Sequence, residues 1–124
     1  MTSRRILVVD DEENVVFTLK AGLARMANWE VSTATSGEQA LELFAQRPFD
    51  LLISDYKMAG MDGLALANLV RQRYPRTSIV LVTAYSSDEL REQAARLSIH
   101  RILDKPVKIA DIRSVALEAL QQRQ

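Results

Sequence analysis

The 124-residue chain contains no cysteine, which excludes disulfide bonds, thiolate catalysis and zinc sites built on sulfur. It also lacks an excess of charge, because sixteen basic residues balance sixteen acidic ones, so its composition does not favour nucleic acid or an anionic membrane as a direct partner. His100 is the single histidine, and a two-histidine metal site or a His–Asp relay therefore cannot be built within the chain.

Long hydrophobic runs are missing as well. Only four apolar residues follow Arg5 before two aspartates, which is too short for a secretory signal, and no run approaches the length of a membrane span. Gly-x-Gly-x-x-Gly and Walker sequences do not occur, so nucleotide binding has no support. We therefore expect a soluble protein of the cytoplasm.

What the chain does contain is an alternation of short apolar runs with segments of helical periodicity. Strands are expected at 6–9, 30–34, 51–54, 78–82 and 100–103. The first helix is expected at 13–27, and the second begins at a capping box of Ser36 and Gln39. The third helix is expected to end before Pro75, the fourth to begin after the turn 86–88, and the fifth to begin after Pro106. No linker or repeat interrupts this order, so we expect one domain over 1–124. The alternation predicts an α/β fold with a doubly wound parallel sheet.

Polar residues stand where four of these strands end. Asp10 and Asp11 follow the first strand, Asp55 the third, Thr83 the fourth and Lys105 the fifth. In an open parallel sheet, ligands bind beyond the carboxyl ends of the strands. Crowded carboxylates need a compensating cation, and hard oxygen ligands suit Mg²⁺. The pattern predicts a site for a divalent cation and a phosphoryl group. Aspartates that only cap the following helices would explain Asp10 or Asp11, but not the other positions.

These positions resemble the receiver domain of two-component response regulators. The similarity rests on Asp10-Asp11, on Asp55 with the loop that ends Gly60-Met61-Asp62-Gly63, on Thr83-Ala84 and on Lys105-Pro106. It extends over the whole chain and implies a CheY-like, flavodoxin-like three-layer sandwich with strand order 2-1-3-4-5. It also implies a phosphoprotein of phosphorelay signal transduction that is not an enzyme in its own right.

The resemblance assigns roles to individual residues. Asp55 would be the phosphoacceptor, and Asp11 and Asp55 would bind Mg²⁺ together with the backbone carbonyl of Lys57. Asp10 would act on the metal through a coordinated water.

Two further residues would bind the phosphoryl oxygens: Thr83 by a hydrogen bond and Lys105 by an ion pair. The implied partners are a sensor histidine kinase or phosphotransfer protein, a downstream output domain or partner protein, and a second copy of the chain. The copy would contact the face made by the fourth helix, the fifth strand and the last helix.

Four positions are expected to tune this switch: Lys57, Ala84, Tyr85 and Ile102. Lys57 and Tyr85 follow the phosphoacceptor and the threonine by two residues and could shield the phosphoryl group from water. Ile102 stands where receivers commonly carry Tyr or Phe, so we expect weaker coupling or an isoleucine shift instead of an aromatic flip. Ala59 replaces a common proline, and we expect a slightly looser loop.

Three alternatives are weighed against this interpretation. A haloacid-dehalogenase-like phosphatase would need Asp-x-Asp after the first strand, and a flavodoxin-like electron carrier would need a hydroxyl-rich phosphate loop there. A degenerate receiver that only docks proteins stays possible because of Ile102. The sequence also leaves open whether the chain is freestanding or a module of a longer regulator.

Overall fold

The protein is described by a computed structural model over residues 3–121. Residues 1–2 and 122–124, the ends of the expected domain, lie outside the described residues. The strands are β1 (Arg4–Val9), β2 (Trp29–Ala34), β3 (Leu51–Asp55), β4 (Ser78–Thr83) and β5 (Arg101–Asp104). The helices are α1 (Glu13–Leu23), α2 (Gly37–Gln46), α3 (Gly63–Arg73), α4 (Asp88–Arg96) and α5 (Ile109–Gln121).

All neighbouring strands pair in parallel, and the sheet has the order β2-β1-β3-β4-β5. This confirms the predicted doubly wound α/β fold and its strand order. Every residue of β3 is buried, as expected for a strand covered on both faces of a parallel sheet. The sheet order reverses between β1 and β3, which is where such folds bind ligands.

Two apolar layers hold helices against the sheet. One face of the sheet packs on α1 and α5, with Val8, Ile53 and Ile112 among its buried side chains. The opposite face packs on α2 and α3, with Leu7 and Phe44 among its buried side chains. Alternate residues of each strand supply the two layers, and a three-layer sandwich results. No helix within residues 3–121 combines the length and the apolar character that crossing a bilayer requires.

The first helix is shorter than the predicted range of 13–27. It ends at Leu23, and Ala24 caps it with an N–H bond to the carbonyl of Lys20. The chain then turns, because Asn28 adopts a positive φ of 69° and its carbonyl accepts the N–H of Arg4. Asparagine tolerates this left-handed conformation, so the turn replaces the last turn of the expected helix.

The fourth helix ends at Arg96, although Leu97 continues the helical spacing of Leu90 and Ala94. Leu97 is its C-cap and not a helical residue, and Ser98 follows with a φ of 55°. The N–H of Ile99 then bonds to the carbonyl of Ala94, which closes the helix end without a glycine. A hydrophobic residue after a helix can thus continue its apolar pattern without extending it.

Candidate functional site

The strand ends bring the predicted polar residues to one edge of the sheet. Asp10 directly follows β1, Asp55 ends β3, Thr83 ends β4, and Lys105 directly follows β5. These four strands are consecutive neighbours in the sheet. Parallel pairing therefore delivers all four side chains to the same edge, as the sequence predicts.

Three carboxylates crowd together at this edge. Asp10, Asp11 and Asp55 each offer an oxygen within 4.8 Å of the others. Asp10 and Asp55 are 2% and 7% exposed, so water screens their charges poorly, whereas Asp11 is exposed. Like charges about 4 Å apart repel by roughly 1–4 kcal/mol per pair between the dielectric of water and that of a protein surface. The cluster is therefore suited to a cation.

Lys105 faces two members of the cluster. Its Nζ lies 2.9 Å from Oδ1 of Asp55 and 3.6 Å from Oδ2 of Asp10. Burial alone would lower the pKa of Lys105, but the hydrogen bond to Asp55 and the charges of Asp55, Asp10 and Glu12 raise it above its usual value. The amine is therefore firmly protonated and compensates part of the negative charge.

The pKa of Asp55 is raised above its usual value, chiefly because burial disfavours the ionised carboxylate. The hydrogen bond and charge of Lys105 lower it, while the charges of Asp10 and Asp11 raise it further. Of the two carboxylates that Lys105 faces, Asp55 makes the shorter contact, at 2.9 Å against 3.6 Å for Asp10. A group that neutralised Asp10 and Asp11 would favour its ionised form.

Backbone amides fix the other two carboxylates. The N–H of Glu12 donates to Oδ1 of Asp10 at 2.9 Å, and the N–H of Ala59 donates to Oδ2 of Asp11 at 3.0 Å. The second bond ties the end of β1 to the loop after β3. Both carboxylates keep a second oxygen, so these bonds orient them without using up their capacity to bind a cation.

The hydroxyl of Thr83 is engaged within its own turn. It donates to the carbonyl of Tyr85 at 3.0 Å and accepts the N–H of Tyr85 at 3.2 Å. Thr83 is 2% exposed and lies one residue beyond Val82, the register partner of Asp55. A new bond donated by this hydroxyl at the sheet edge would release the carbonyl of Tyr85, because the hydroxyl has a single proton.

Comparison with known proteins assigns this arrangement to a family. Residues 6–117 match the family model described as the response regulator receiver domain. The chain belongs to that family. It is therefore a response regulator receiver domain of two-component systems, a signalling domain, as its strand-end residues predict.

Three relatives illustrate the range of similarity. The response regulator protein PilR of Pseudomonas aeruginosa is 33% identical over 99% of this chain and 27% of its own length. The probable chemotaxis protein CheY of Rhizobium etli is 30% identical over 94% of this chain and 91% of its own. The signal receiver domain of an HD domain-containing protein from Pseudomonas fluorescens is 31% identical, with a TM-score of 0.89 over 96% of this chain and 95% of that one.

This receiver domain spans only about a quarter of several longer relatives. The covered fraction is 27% for PilR and 25% for the regulatory protein AtoC of Escherichia coli. The fold of the receiver is therefore shared with regulators that differ in total length.

Three of the four positions expected to tune the switch lie in the loops at the same edge of the receiver. Lys57 is exposed and its Nζ lies 6.0 Å from the ring centroid of Tyr56, while Ala84 is exposed and Tyr85 is 80% exposed. Ile102 is half-buried on β5, opposite Leu81. Lys57 follows the end of β3, and Ala84 and Tyr85 follow the end of β4, whereas Ile102 lies within β5.

Sequence reasoning missed two contributors to the receiver site. Glu12 raises the pKa of Lys105, and its place directly after the aspartate pair was the available signal. Ala59 was considered only for the φ restraint that proline would supply. The hydrogen bond from its backbone N–H to the carboxylate of Asp11 could not form with proline, which lacks that N–H. This contact was not visible in the sequence.

The approach of α3 to Asp55 depends on Gly63. A Cβ at this residue would collide with the backbone carbonyl of Asp55, and the N–H of Gly63 donates to the carbonyl of Tyr56 at 2.8 Å. The helix then starts from Asp62, whose carboxylate accepts the N–H of Ala65 at 2.8 Å. The Gly60–Gly63 loop thus packs the helix directly against the end of β3.

Proposed function

We propose that this receiver domain accepts a phosphoryl group on Asp55 in a Mg²⁺-dependent reaction. The donor would be a phosphohistidine of a sensor histidine kinase or a phosphotransfer protein. The observation that carries the proposal is the clustering of Asp10, Asp11 and Asp55 around an ion pair with Lys105. A purely structural aspartate at a strand end needs no such neighbours.

The donor set fits Mg²⁺. Its side chains offer only carboxylate oxygens, two buried and one exposed, and Mg²⁺ prefers one or two carboxylates, with water and phosphate oxygens completing its shell. Asp11 and Asp55 would bind it with the backbone carbonyl of Lys57, and Asp10 through a water. When bound, the metal would neutralise charge shared by the carboxylates and the phosphoryl group.

The transfer step follows from the position of Asp55. One carboxylate oxygen of Asp55 would attack phosphorus as the phosphorus–nitrogen bond to the donor histidine breaks, and the histidine would leave with the bonding electron pair and take up a proton. Lys105 already bonds Oδ1 of Asp55, so it can move onto a phosphoryl oxygen with little displacement. Catalysis would then be mostly positioning and charge compensation. The protein thus supplies a phosphoacceptor and slow autodephosphorylation, not turnover of a separate substrate.

Thr83 offers the route by which the phosphoryl group would be sensed. Its hydroxyl bonds both backbone groups of Tyr85, so turning it toward a phosphoryl oxygen would free the segment between β4 and α4. Tyr85 and Lys57 would in turn shield the group from water. The half-buried Ile102 would shift without the swing of a large ring.

The signal would pass to an output domain or partner protein, in line with the greater length of PilR and AtoC. The face of α4, β5 and α5 is the proposed homodimer contact, and the receiver itself would not touch nucleic acid. We further propose that the protein acts in the cytoplasm.

The test is incubation with acetyl phosphate and Mg²⁺, followed by intact-mass measurement. We expect one added phosphoryl group that is labile in base, absent in Asp55→Asn and absent when EDTA removes the metal. Asp104→Asn is the matched control, because Asp104 ends the neighbouring strand β5 but is exposed; it should be modified like the parent. No added mass in the folded parent would favour the degenerate docking module instead.

A further inference from the structure

A cavity of about 410 Å³ extends from the carboxylate cluster into the layer between the sheet, α1 and α5. Its floor is formed by Val8, Ile53 and Val82, which lie on the neighbouring strands β1, β3 and β4. These side chains are at most 6% exposed. The volume lies within the range of small-molecule sites in proteins, about 300–1,000 Å³.

The walls of the cavity are apolar but not closed. Val15 and Leu19 of α1 form one wall, and Val107 and Ile112 form the other. Val15, Leu19 and Val107 are only half-buried, so the cavity opens between α1 and the segment before α5. Apolar walls cannot hydrogen-bond water, so an apolar molecule held between them would remove apolar surface from water.

One end of the cavity is strongly acidic. Asp10, Glu12 and Asp55 line it, and Lys105 is the single cationic residue in the lining. Lys105 is already paired with Asp55 and Asp10, so two negative charges are left uncompensated at neutral pH. A cation with an apolar body would match both ends of the cavity.

We propose that this cavity binds small cationic amphiphiles, with an ammonium head at Asp10 and Glu12 and an apolar body against Val8, Val82 and Val107. The head would occupy the region that attracts a divalent cation, so the ligand and Mg²⁺ would antagonise each other. That antagonism rests on the proposed function, whereas binding through the apolar body does not.

The probe is a series of primary alkylammonium ions from methyl to octyl, titrated into the metal-free protein in EDTA and followed by NMR of valine, leucine and isoleucine methyl groups. We expect saturable shifts at Val8, Val82 and Val107, and an affinity that rises about fourfold per methylene until the cavity is filled. Hexanol and hexanoate, of the same chain length, should bind at least tenfold more weakly than hexylammonium.

Two variants test whether the cavity itself is used. Val107→Phe and Val15→Met each fill it without changing a charge, and each should weaken hexylammonium at least tenfold while methylammonium is unaffected. Leu117→Phe enlarges an exposed residue of α5 outside the lining and should bind like the parent. The second filling variant serves if the first fails to fold, as judged by its thermal midpoint.

The outcomes separate the possibilities. Equal affinity for methylammonium and hexylammonium, or full binding by a folded filling variant, would mean that the cavity takes no ligand. Preference for hexanoate or equal binding of hexanol would contradict a cationic ligand. Hexylammonium binding that Mg²⁺ does not weaken would leave the cavity site intact and count against the metal site in the proposed function.

Discussion

A divalent cation bound as proposed at the carboxylate cluster would compete with Lys105 for the same oxygens. The Nζ of Lys105 lies 2.9 Å from Asp55 and 3.6 Å from Asp10. The amine carries a full positive charge at neutral pH, because its pKa is raised above a usual value that is already high. Lys105→Met should therefore raise the affinity for Mg²⁺, by about tenfold if roughly 1.4 kcal/mol of repulsion is removed. Calorimetric titration with Mg²⁺ at neutral pH measures this.

The control for that variant is Lys108→Met, because Lys108 is exposed just before α5. Its Mg²⁺ affinity should stay within twofold of the parent. The same Lys105→Met protein should accept less phosphoryl group from acetyl phosphate, since it loses the cation proposed to pair with a phosphoryl oxygen. Unchanged or weaker Mg²⁺ binding would contradict the competition.

Ionised Asp55 costs stability in the absence of metal. Burial raises its pKa above the usual value of 3.8, so the folded protein binds this proton more tightly than the unfolded chain does. The stabilising effect of the raised pKa is therefore complete below about pH 3.8 and is lost as the pH rises through the raised pKa. Asp55→Asn should increase the free energy of unfolding at pH 7 in EDTA, by about 1 kcal/mol from relieved repulsion.

The gain from Asp55→Asn should shrink as the pH falls toward 4, because the parent carboxyl is then protonated as well. Urea unfolding at several pH values measures it. Asp104→Asn, at an exposed strand end, should change the free energy by less than about 0.5 kcal/mol at each pH. A destabilised Asp55→Asn protein at pH 7 would show that the ion pair with Lys105 outweighs burial and repulsion.

Single residues show what the sequence could and could not predict about the site. Asp10, Asp11, Asp55 and Lys105 were predictable because parallel strands end at a common edge, and residue type plus strand order then determines proximity. The hydrogen bond from the backbone N–H of Ala59 to Asp11 was not predictable, since it depends on the path of a loop. The proximity of charged side chains at strand ends follows from the order of the strands. Hydrogen bonds made by the backbone of a loop depend on the conformation of that loop, which the sequence does not show.

At the scale of elements, Arg71 joins α3 to the end of α4. Its guanidinium donates to the carbonyls of Leu97 at 2.9 Å and Ser98 at 3.2 Å, after the last residue of α4, and to those of Pro75 and Thr77, each at 2.9 Å. Only Leu90 and Ala94 of α4 are buried, so the helix makes few apolar contacts with the rest of the protein. The hydrogen bonds of the Arg71 guanidinium therefore hold the C-terminal end of α4 in place.

Arg71→Ala should destabilise the fold by about 2–3 kcal/mol, because partly buried carbonyls lose charged donors. Arg71→Lys should recover only part of this, since one ammonium cannot reproduce the fork. Chemical denaturation gives the free energies, and hydrogen exchange should show the loss concentrated at the amides of Leu97 and Ile99.

Arg73→Ala is the matched control, two residues further in the last turn of α3 and exposed. It should cost less than about 0.5 kcal/mol. If Arg71→Ala unfolded no more easily than Arg73→Ala, the contacts to α4 would be energetically neutral.

Element boundaries were predictable where local chemistry determines them. Ser36 caps α2 by accepting the N–H of Gln39 at 3.0 Å, as its spacing predicts. The ends of α1 and α4 were not predictable, because Asn28 and Ser98 adopt positive φ where glycine is usual. Their conformation is imposed by the strands that must begin next, which is a tertiary cause.

At the scale of the whole molecule, the order of elements predicts a doubly wound parallel sheet, because right-handed crossovers leave few arrangements for five alternating units. The strand order itself was predicted from the resemblance to receiver domains. The cavity beside the acidic edge does not follow from that order. It depends on how far α1 lies from Val107 and Ile112, and side-chain volumes in sequence do not give helix–helix distances. The cavity is therefore the feature of the molecule that is hardest to predict from the sequence.

The expectation of one domain implies one cooperative unfolding transition, and a metal bound as proposed at the acidic edge would shift that transition by stabilising the folded state. Trp29 begins β2 at the opposite end of the strands from the carboxylates, so its fluorescence reports folding away from the site. We expect its urea transition to coincide with that of far-UV circular dichroism.

Mg²⁺ should stabilise the folded protein. For a dissociation constant of about 1 mM, 10 mM Mg²⁺ should increase the free energy of unfolding by about 1.4 kcal/mol, with an unchanged dependence on urea concentration. Asp11→Asn should abolish most of this increment, because an amide oxygen replaces a charged ligand. Separate transitions for the two probes would argue against a single unit, and an increment that survives in Asp11→Asn would move the metal away from the cluster.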